Sequence, residues 1–231
     1  MHPTAKENCK AFYSNYHVSI LNNNPDYEIV EIGSQDVNGS LRDIFPPGVP
    51  YTGVDFVEGK GVDVILDDPY KLPFDDSSVD VVLSSSCFEH SEMFWLLHQE
   101  IMRILKPHGL FYLNVPHNGD IHQWPVDCWR LYPDAGKALV TWSKYNGMNP
   151  ALLESYVSSQ NKGIWNDFVA VFVKDEQFVE SYPNRILDNK TDVWNGIKYG
   201  TDEVIRKTSM TEDQKKLEII RQILRDDIKV N

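Results

Sequence analysis

Three apolar runs, each leading to an acidic residue, constrain this chain more than any other feature. They are Val30-Glu31-Ile32-Gly33-Ser34-Gln35-Asp36, then Tyr51 to Phe56 with Asp55 near its end, then Val62 to Leu66 leading into Asp68. Short runs rich in β-branched residues and bounded by turn formers read as buried strands. Buried strands alternating with helical segments predict a mostly parallel sheet covered on both faces. Ligands of such open sheets bind in the crevice beyond the carboxyl ends of the strands. The carboxylates therefore fall where a ligand would sit.

The rest of the chain supports that architecture. Residues 6–22 predict a helix, punctuated by Asn22-Asn23-Asn24-Pro25 before a strand from Tyr27 to Ile32. Leu41 to Phe45 predicts a short helical piece stopped by Pro46-Pro47-Gly48, and Val79 to Leu83 a fourth strand. Ser91 is the expected cap of a helix reaching Leu105, with Phe94, Leu97, Ile101, Ile104 and Leu105 on one face. Lys106-Pro107-His108-Gly109 reads as its end, and Leu110 to Val115 as a fifth strand. Leu153 to Ser158 and Trp165 to Val173 form an expected antiparallel hairpin around Gln160-Asn161-Lys162-Gly163. The expected organisation is a domain over 1–175, with an acceptor-side insertion at 117–150, and a helical extension over 176–231. Within the extension Thr211-Glu212-Asp213-Gln214 is a capping-box pattern. It opens a helix with Leu217, Ile220, Ile223, Leu224 and Ile228 on one face, which either packs on its own domain or makes a homodimer contact.

Composition narrows the partners. Lys and Arg number 22 against 34 Asp and Glu, a formal charge of −12. That balance argues against an extended phosphate-gripping surface and hence against nucleic acid. A small-molecule or glycan acceptor is expected instead. No segment approaches the roughly 18 apolar residues of a membrane span, and residues 1–8 lack the apolar centre of a signal peptide. Cys9, Cys87 and Cys128 match no zinc or disulfide spacing and read as inert thiols in a cytoplasmic protein.

At the strand ends, Gly33 permits a tight turn and close backbone approach. Glu31 and Asp36 suit an ammonium group. Asp55, 24 residues after Glu31, suits a ribose diol. Asp68 suits an adenine amine, with Phe56 or Pro69 against the ring. Each carboxylate alone is more often a solvated loop residue or a helix cap; three in order at matching strand ends are far less a matter of chance. S-adenosylmethionine carries all three complementary groups.

Val30-Glu31-Ile32-Gly33, Gly53-Val54-Asp55, Asp68-Pro69-Tyr70-Lys71-Leu72-Pro73-Phe74, Val79-Asp80-Val81-Val82 and Ile104-Leu105-Lys106-Pro107-His108-Gly109-Leu110 resemble class I S-adenosylmethionine-dependent methyltransferases, most closely the broad type 11 group. The resemblance covers residues 27–116. It implies a Rossmann-like α/β fold with seven strands in the order 3-2-1-4-5-7-6, one of them antiparallel. It also implies cofactor contacts from Glu31, Gly33, Ser34, Gln35, Asp55, Phe56, Asp68, Pro69, Ser84 and His90. The family's first loop usually has glycine at the positions of Gln35 and Val37, so here Ser34 and Gln35 shape that loop.

Methyl transfer to oxygen requires an acceptor held in line and a group that takes its proton. That group belongs past the fourth or fifth strand. His122 is the first candidate base, Asp127 its orienting partner or a sugar-hydroxyl ligand, and His117 the second choice. Arg130 reads as an ion-pair partner of Asp127 or Asp134. Trp124, Trp129, Tyr132 and Trp142 read either as a stacking surface for a sugar or as the core of the insertion. His117, Asp120, His122 and Asp127 have no spacing that demands a metal, and none is expected. The segment His122-x-x-Pro125-x-Asp127-x-Trp129-Arg130-x-Tyr132-Pro133 resembles methyltransferases of surface-polysaccharide assembly, which points to a sugar hydroxyl of a glycan or nucleotide sugar. Two other readings are an NAD-dependent oxidoreductase, which wants a G-x-G-x-x-G turn absent here, and a non-catalytic partner subunit of the same fold.

Overall fold

The computed structural model describes residues 3–160 and 163–225. Its helices are α1 (Pro3–Asn23), α2 (Phe94–Ile104), α3 (Ala135–Tyr145) and α4 (Glu212–Leu224). Its strands are β1 (Ile29–Ile32), β2 (Tyr51–Asp55), β3 (Val64–Ile65), β4 (Val79–Ser85), β5 (Leu105–Pro116), β6 (Ala151–Ser158), β7 (Asp167–Val173) and β8 (Val193–Lys198). They form one sheet in the order β3-β2-β1-β4-β5-β7-β6-β8. Strands β1 to β5 pair in parallel, whereas β7 is antiparallel to both β5 and β6. The expected seven-strand order is present, and an eighth strand extends it.

The strands are continuous apolar runs because both sheet faces are covered. On one face Ile29, Val81, Leu83, Leu110, Tyr112, Val169 and Val171 pack with Cys9, Phe12, Tyr16 and Ile20 of α1. On the other, Val30, Ile32, Val82, Phe111, Leu113, Ala170 and Phe172 pack with Leu97, Ile101, Met102 and Ile104 of α2. Alternate residues of one strand thus feed opposite layers. One buried polar cluster inside is paired: the Tyr16 hydroxyl donates to Glu154 Oε1 at 2.6 Å, and Glu154 also accepts from the Ile186 and Leu187 amides.

Several boundaries differ from the sequence reading. Lys106 to Gly109 do not end α2 in a turn; they lie inside β5. There Leu105 pairs with Val79 and Leu110 with Val81, so the extra residues form an irregularity opposite Asp80. Asp80 explains it, accepting from Lys106 Nζ at 2.8 Å and facing His108 Nε2 at 3.3 Å. Ser91 does not cap α2. It ends a short 3₁₀ turn, Phe88–His90, and the helix begins at Phe94.

The segment after Val173, expected as a helical extension, contributes β8, which pairs antiparallel with β6. The β6–β7 hairpin is therefore not the sheet edge. The capping box of α4 is formed: Thr211 Oγ1 accepts from Gln214 N at 3.2 Å, and Gln214 Oε1 from Thr211 N at 3.0 Å. Its apolar Leu217, Ile220 and Leu224 stay exposed, with no residue of α4 buried. Asn161, Lys162 and Ile228 lie outside the described residues. Among the described residues, no helix is long and apolar enough to cross a membrane.

Candidate active site

A cleft of about 620 Å³ opens beyond the carboxyl ends of β1, β2 and β4. Its floor is the turn after β1. Gly33 has φ +79°, and a Cβ there would come within 2.5 Å of the Cys87 side chain, so both conformation and space require glycine. The Gly33 and Ser34 amides donate to the Val54 carbonyl at 2.9 and 3.2 Å, tying the turn to the end of β2. Glu31 lines the floor with its carboxyl buried, and its Oε2 accepts from the Tyr51 hydroxyl at 2.6 Å. Burial pushes the Glu31 pKa up to about 7, against the lowering effect of the Tyr51 hydrogen bond and the Arg42 charge.

Asp55 closes β2 and faces the same cleft. Its Oδ1 accepts from the Phe56 and Val57 amides at 2.8 and 3.3 Å, and its Oδ2 from the Gln35 amide at 3.2 Å. Those bonds fix the carboxylate's orientation and use three of about four acceptor positions. Phe56 and Val57 flank it, both about half exposed, and offer an apolar wall with Leu66, Pro69 and Tyr70. The loop carrying Pro69 and Tyr70 is held from α2. Arg103 donates to the Leu72 and Phe74 carbonyls at 2.9 and 2.8 Å, and Glu100 accepts the Leu72 amide at 3.0 Å. The Ser34, Ser85 and Ser86 hydroxyls at the cleft are buried and meet no hydrogen-bond partner among the described residues.

Of the expected cofactor residues, Glu31, Gly33, Ser34, Gln35, Asp55, Phe56, Pro69 and His90 line this cleft. Asp68 and Ser84 are not in the lining. Asp68 is exposed and its Oδ1 accepts from the Tyr70 amide at 2.8 Å, shaping the loop. Ser84 is fully buried within β4, and the next two serines reach the cleft instead. Asp36 also turns away, pairing with Lys60 Nζ at 2.5 Å and accepting the Gly39 amide at 2.7 Å.

The acceptor side is built by the loop after β5. Gln123, Trp124, Pro125 and Val126 form one wall, and Trp124 is 63% exposed there. The Asp127 side chain is covered and gripped by Arg130, whose Nη1 donates to Oδ1 at 2.6 Å and Nη2 to Oδ2 at 2.8 Å. The guanidinium beside it holds the Asp127 pKa down at about 2. Asp127 Oδ2 also accepts the His122 amide at 2.8 Å, with His122 Nδ1 3.6 Å away. Asp127 thus positions the backbone of His122. The Glu89 carboxylate holds His122 above the usual imidazole pKa, partly offset by burial.

His122 packs edge-on against His90, ring centroids 5.0 Å apart, and it is His90 that lines the cleft. His117 lies elsewhere. It is buried, its Nδ1 is 2.7 Å from the Leu131 carbonyl, and it lines a separate pocket of about 150 Å³ with Tyr132 and Trp194. The aromatic residues of the insertion disperse. Trp129 packs on Phe94 and Trp95, Tyr132 on His117, and Trp124 alone of the four lines the cleft.

Glu89, a fully buried carboxylate directly before His90, was not expected from the sequence. Its signal was a lone acid in the Ser84–His90 stretch, where no periodicity marks a side chain as internal. Tyr70, Val57 and Val126 were not expected either; they enter the cleft through loop geometry.

Residues 43–113 match a family model described as methyltransferase domain. A phthiotriol/phenolphthiotriol dimycocerosates methyltransferase of Mycobacterium tuberculosis is 39% identical over 71 residues, 29% of this chain and 25% of that protein. A relative of the same description from Mycobacterium ulcerans is 37% identical over a stretch of equal length. The match therefore spans a quarter of the length of the curated relatives. Among solved structures, a Burkholderia thailandensis 1,6-didemethyltoxoflavin-N1-methyltransferase with bound 1,6-didemethyltoxoflavin and S-adenosylhomocysteine superposes with a TM-score of 0.51 at 15% identity. It covers 74% of this chain and 79% of that one. The strand order with its antiparallel β7 and the strand-end cleft are those of the class I methyltransferase fold, and residues 43–113 are similar to a methyltransferase domain.

Proposed function

We propose that this chain transfers the methyl group of S-adenosylmethionine to a hydroxyl oxygen of a sugar, within a glycan, a nucleotide sugar or a related small molecule. The observation that carries the cofactor half is the composition of the cleft. A ligand with a positive sulfonium end and a polar adenosyl end finds Glu31 at the floor, Asp55 with one acceptor position left, and three buried hydroxyls without a partner among the described residues. The Gly33 turn leaves backbone approach open where a Cβ would close it. Glu31 faces the methionine ammonium, Asp55 accepts from the ribose, and Phe56, Val57 and Pro69 cover the adenine.

Bound there, the cofactor supplies an electrophilic methyl group. The chain's own residues must hold the acceptor oxygen in line with it and receive the proton. Trp124 offers an exposed ring face against which a sugar stacks through its apolar C–H side. Asp127 and Arg130 fix the loop that carries Trp124 and His122. The proton leaves toward the cluster of Glu89, His90 and His122, the titratable group at the acceptor wall. His117 faces the other pocket and has no part in this assignment.

The test is transfer from S-adenosylmethionine to a panel of sugars, nucleotide sugars, amines and catechols, read by mass spectrometry. Methylation of sugar hydroxyls supports the reading; methylation confined to nitrogen or carbon acceptors rejects its acceptor half. His122→Ala is expected to lower turnover about 100-fold with cofactor affinity unchanged. Wild-type turnover in that variant removes His122 from the mechanism.

A further inference from the structure

Glu89 is fully buried at the connection between β4 and α2, and among the described residues neither of its carboxylate oxygens has a hydrogen-bond donor. An ionisable group desolvated without a partner is costly, so such a group marks a place where a cation belongs. Two imidazole nitrogens face it. His90 Nε2 lies 3.7 Å from Glu89 Oε1, and His122 Nε2 lies 3.9 Å from the same oxygen. One donor atom from each of the three residues falls within 4.8 Å of the others.

The outer nitrogens of both rings are already committed. His90 Nδ1 donates to the Val126 carbonyl at 2.5 Å. His122 Nδ1 lies 3.2 Å from the Asp120 carbonyl and 3.6 Å from Asp127 Oδ2. Arg130 Nη2 is 3.3 Å from that nitrogen, but its two hydrogens go to Asp127 Oδ2 and the Asp120 carbonyl, each at 2.8 Å. His122 Nδ1 is therefore the donor to the carbonyl. With each Nδ1 carrying its hydrogen, each neutral ring turns an Nε2 lone pair toward a carboxylate. Second-sphere oxygens fix the rings of metal-binding histidines in this same way.

A single proton joins Glu89 to one imidazole and leaves the other unanswered. The separations also exceed the roughly 2.7–2.9 Å of a charge-assisted N–H···O bond. A metal ion with ligands at about 2.1 Å spaces its donors roughly 3.0–3.4 Å apart and satisfies all three together. Two imidazoles and one carboxylate suit divalent first-row transition ions rather than magnesium or calcium.

We propose that Glu89, His90 and His122 bind one divalent transition-metal ion of the zinc type at the acceptor wall of the cleft. Three protein donors leave coordination positions for water or an acceptor oxygen. In the loaded protein His122 is a ligand, and an acceptor hydroxyl loses its proton because the ion lowers its pKa. That consequence rests on the methyltransfer reading above; the binding site itself does not.

The experiment is titration of the chelator-treated full chain with Co²⁺, followed by visible absorption, with Zn²⁺ as competitor. One equivalent of Co²⁺ is expected, with ligand-field bands that Zn²⁺ displaces. His122→Ala, a partly exposed position, and His90→Ala are each expected to weaken Co²⁺ binding at least tenfold, with circular dichroism unchanged. Glu89→Gln is the third variant, and the two histidine variants decide the question if it fails to fold. Absence of ligand-field bands at excess Co²⁺, or equal affinity in wild type and histidine variants, overturns the site and leaves a proton-shared Glu89–His122 pair. Methyl transfer measured alongside separates the two failures. Metal bound without transfer to any acceptor rejects the enzymatic reading alone, and transfer without metal binding rejects the site alone.

Discussion

Glu31 shows how one side chain in this cleft couples stability to ligand recognition. Its carboxyl is buried beneath the turn at Gly33, and desolvation lifts its pKa to about 7. An unfolded glutamate titrates near ~4.3. The folded value is the higher one, so the group's contribution to stability is fully present below about pH 4. That contribution is lost as pH rises through about 7. Urea unfolding at pH 5 and pH 8 is expected to show wild type losing on the order of 3 kcal/mol more than Glu31→Gln across that interval. Parallel losses in the two proteins contradict it. A cofactor ammonium over Glu31 favours the ionised form, so cofactor binding is expected to release that proton. Asp55 acts differently, because three backbone amides already hold its carboxylate in one orientation. Asp55→Ala is expected to weaken S-adenosylhomocysteine binding by about 1–3 kcal/mol, measured by calorimetry; unchanged affinity removes it from the ribose. Glu31, Gly33 and Asp55 were legible because strand-end positions follow from hydrophobic patterning alone. Glu89 was not, since a single acid after a strand carries no mark of its burial.

At the scale of elements, the strands legible in the sequence are short runs rich in β-branched or apolar residues, which is the case for β1 to β7, although β3 is only two residues long and β5 begins earlier than its apolar run. Strand β8 escaped because its run, Val193-Trp194-Asn195-Gly196-Ile197-Lys198, places a polar residue and a glycine in the middle. Asn195 adopts φ +50°, a conformation that interrupts strand periodicity. Only Val193, Gly196 and Ile197 of β8 are buried, yet the strand covers what would otherwise be the open hydrogen-bonding edge of β6. An uncovered apolar edge invites chain-to-chain pairing. A chain ending at Asp188 is therefore expected to aggregate on purification. One ending at Lys207, which keeps β8 and lacks the unburied α4 with its flanking residues, is expected to hold the wild-type melting temperature within a few degrees. Equal solubility of the two truncations by size-exclusion chromatography contradicts this role for β8. The loop after β5 was legible as an insertion but not as a structure. The Arg130–Asp127 pair was legible from its spacing of three, but the loop also depends on Trp129 finding Phe94 and Trp95, contacts that no local spacing encodes.

For the whole molecule, the architecture places two unlike surfaces across one cleft. The β1–β2 side supplies fixed carboxylates and a glycine turn; the β4–β5 side supplies His90, backed by the buried Glu89 and by His122, and an exposed tryptophan. The first half suits S-adenosylmethionine, and the second is set by the loop after β5. Methyl transfer of any kind depends on the first half. Its most direct test is calorimetric titration of the full chain with S-adenosylhomocysteine, paired with thermal unfolding. The prediction is one saturable binding event per chain and, at ligand one hundred times Kd, a stabilisation of about 2.7 kcal/mol. A titration without heat, together with a melting temperature unmoved by saturating ligand, contradicts the assignment.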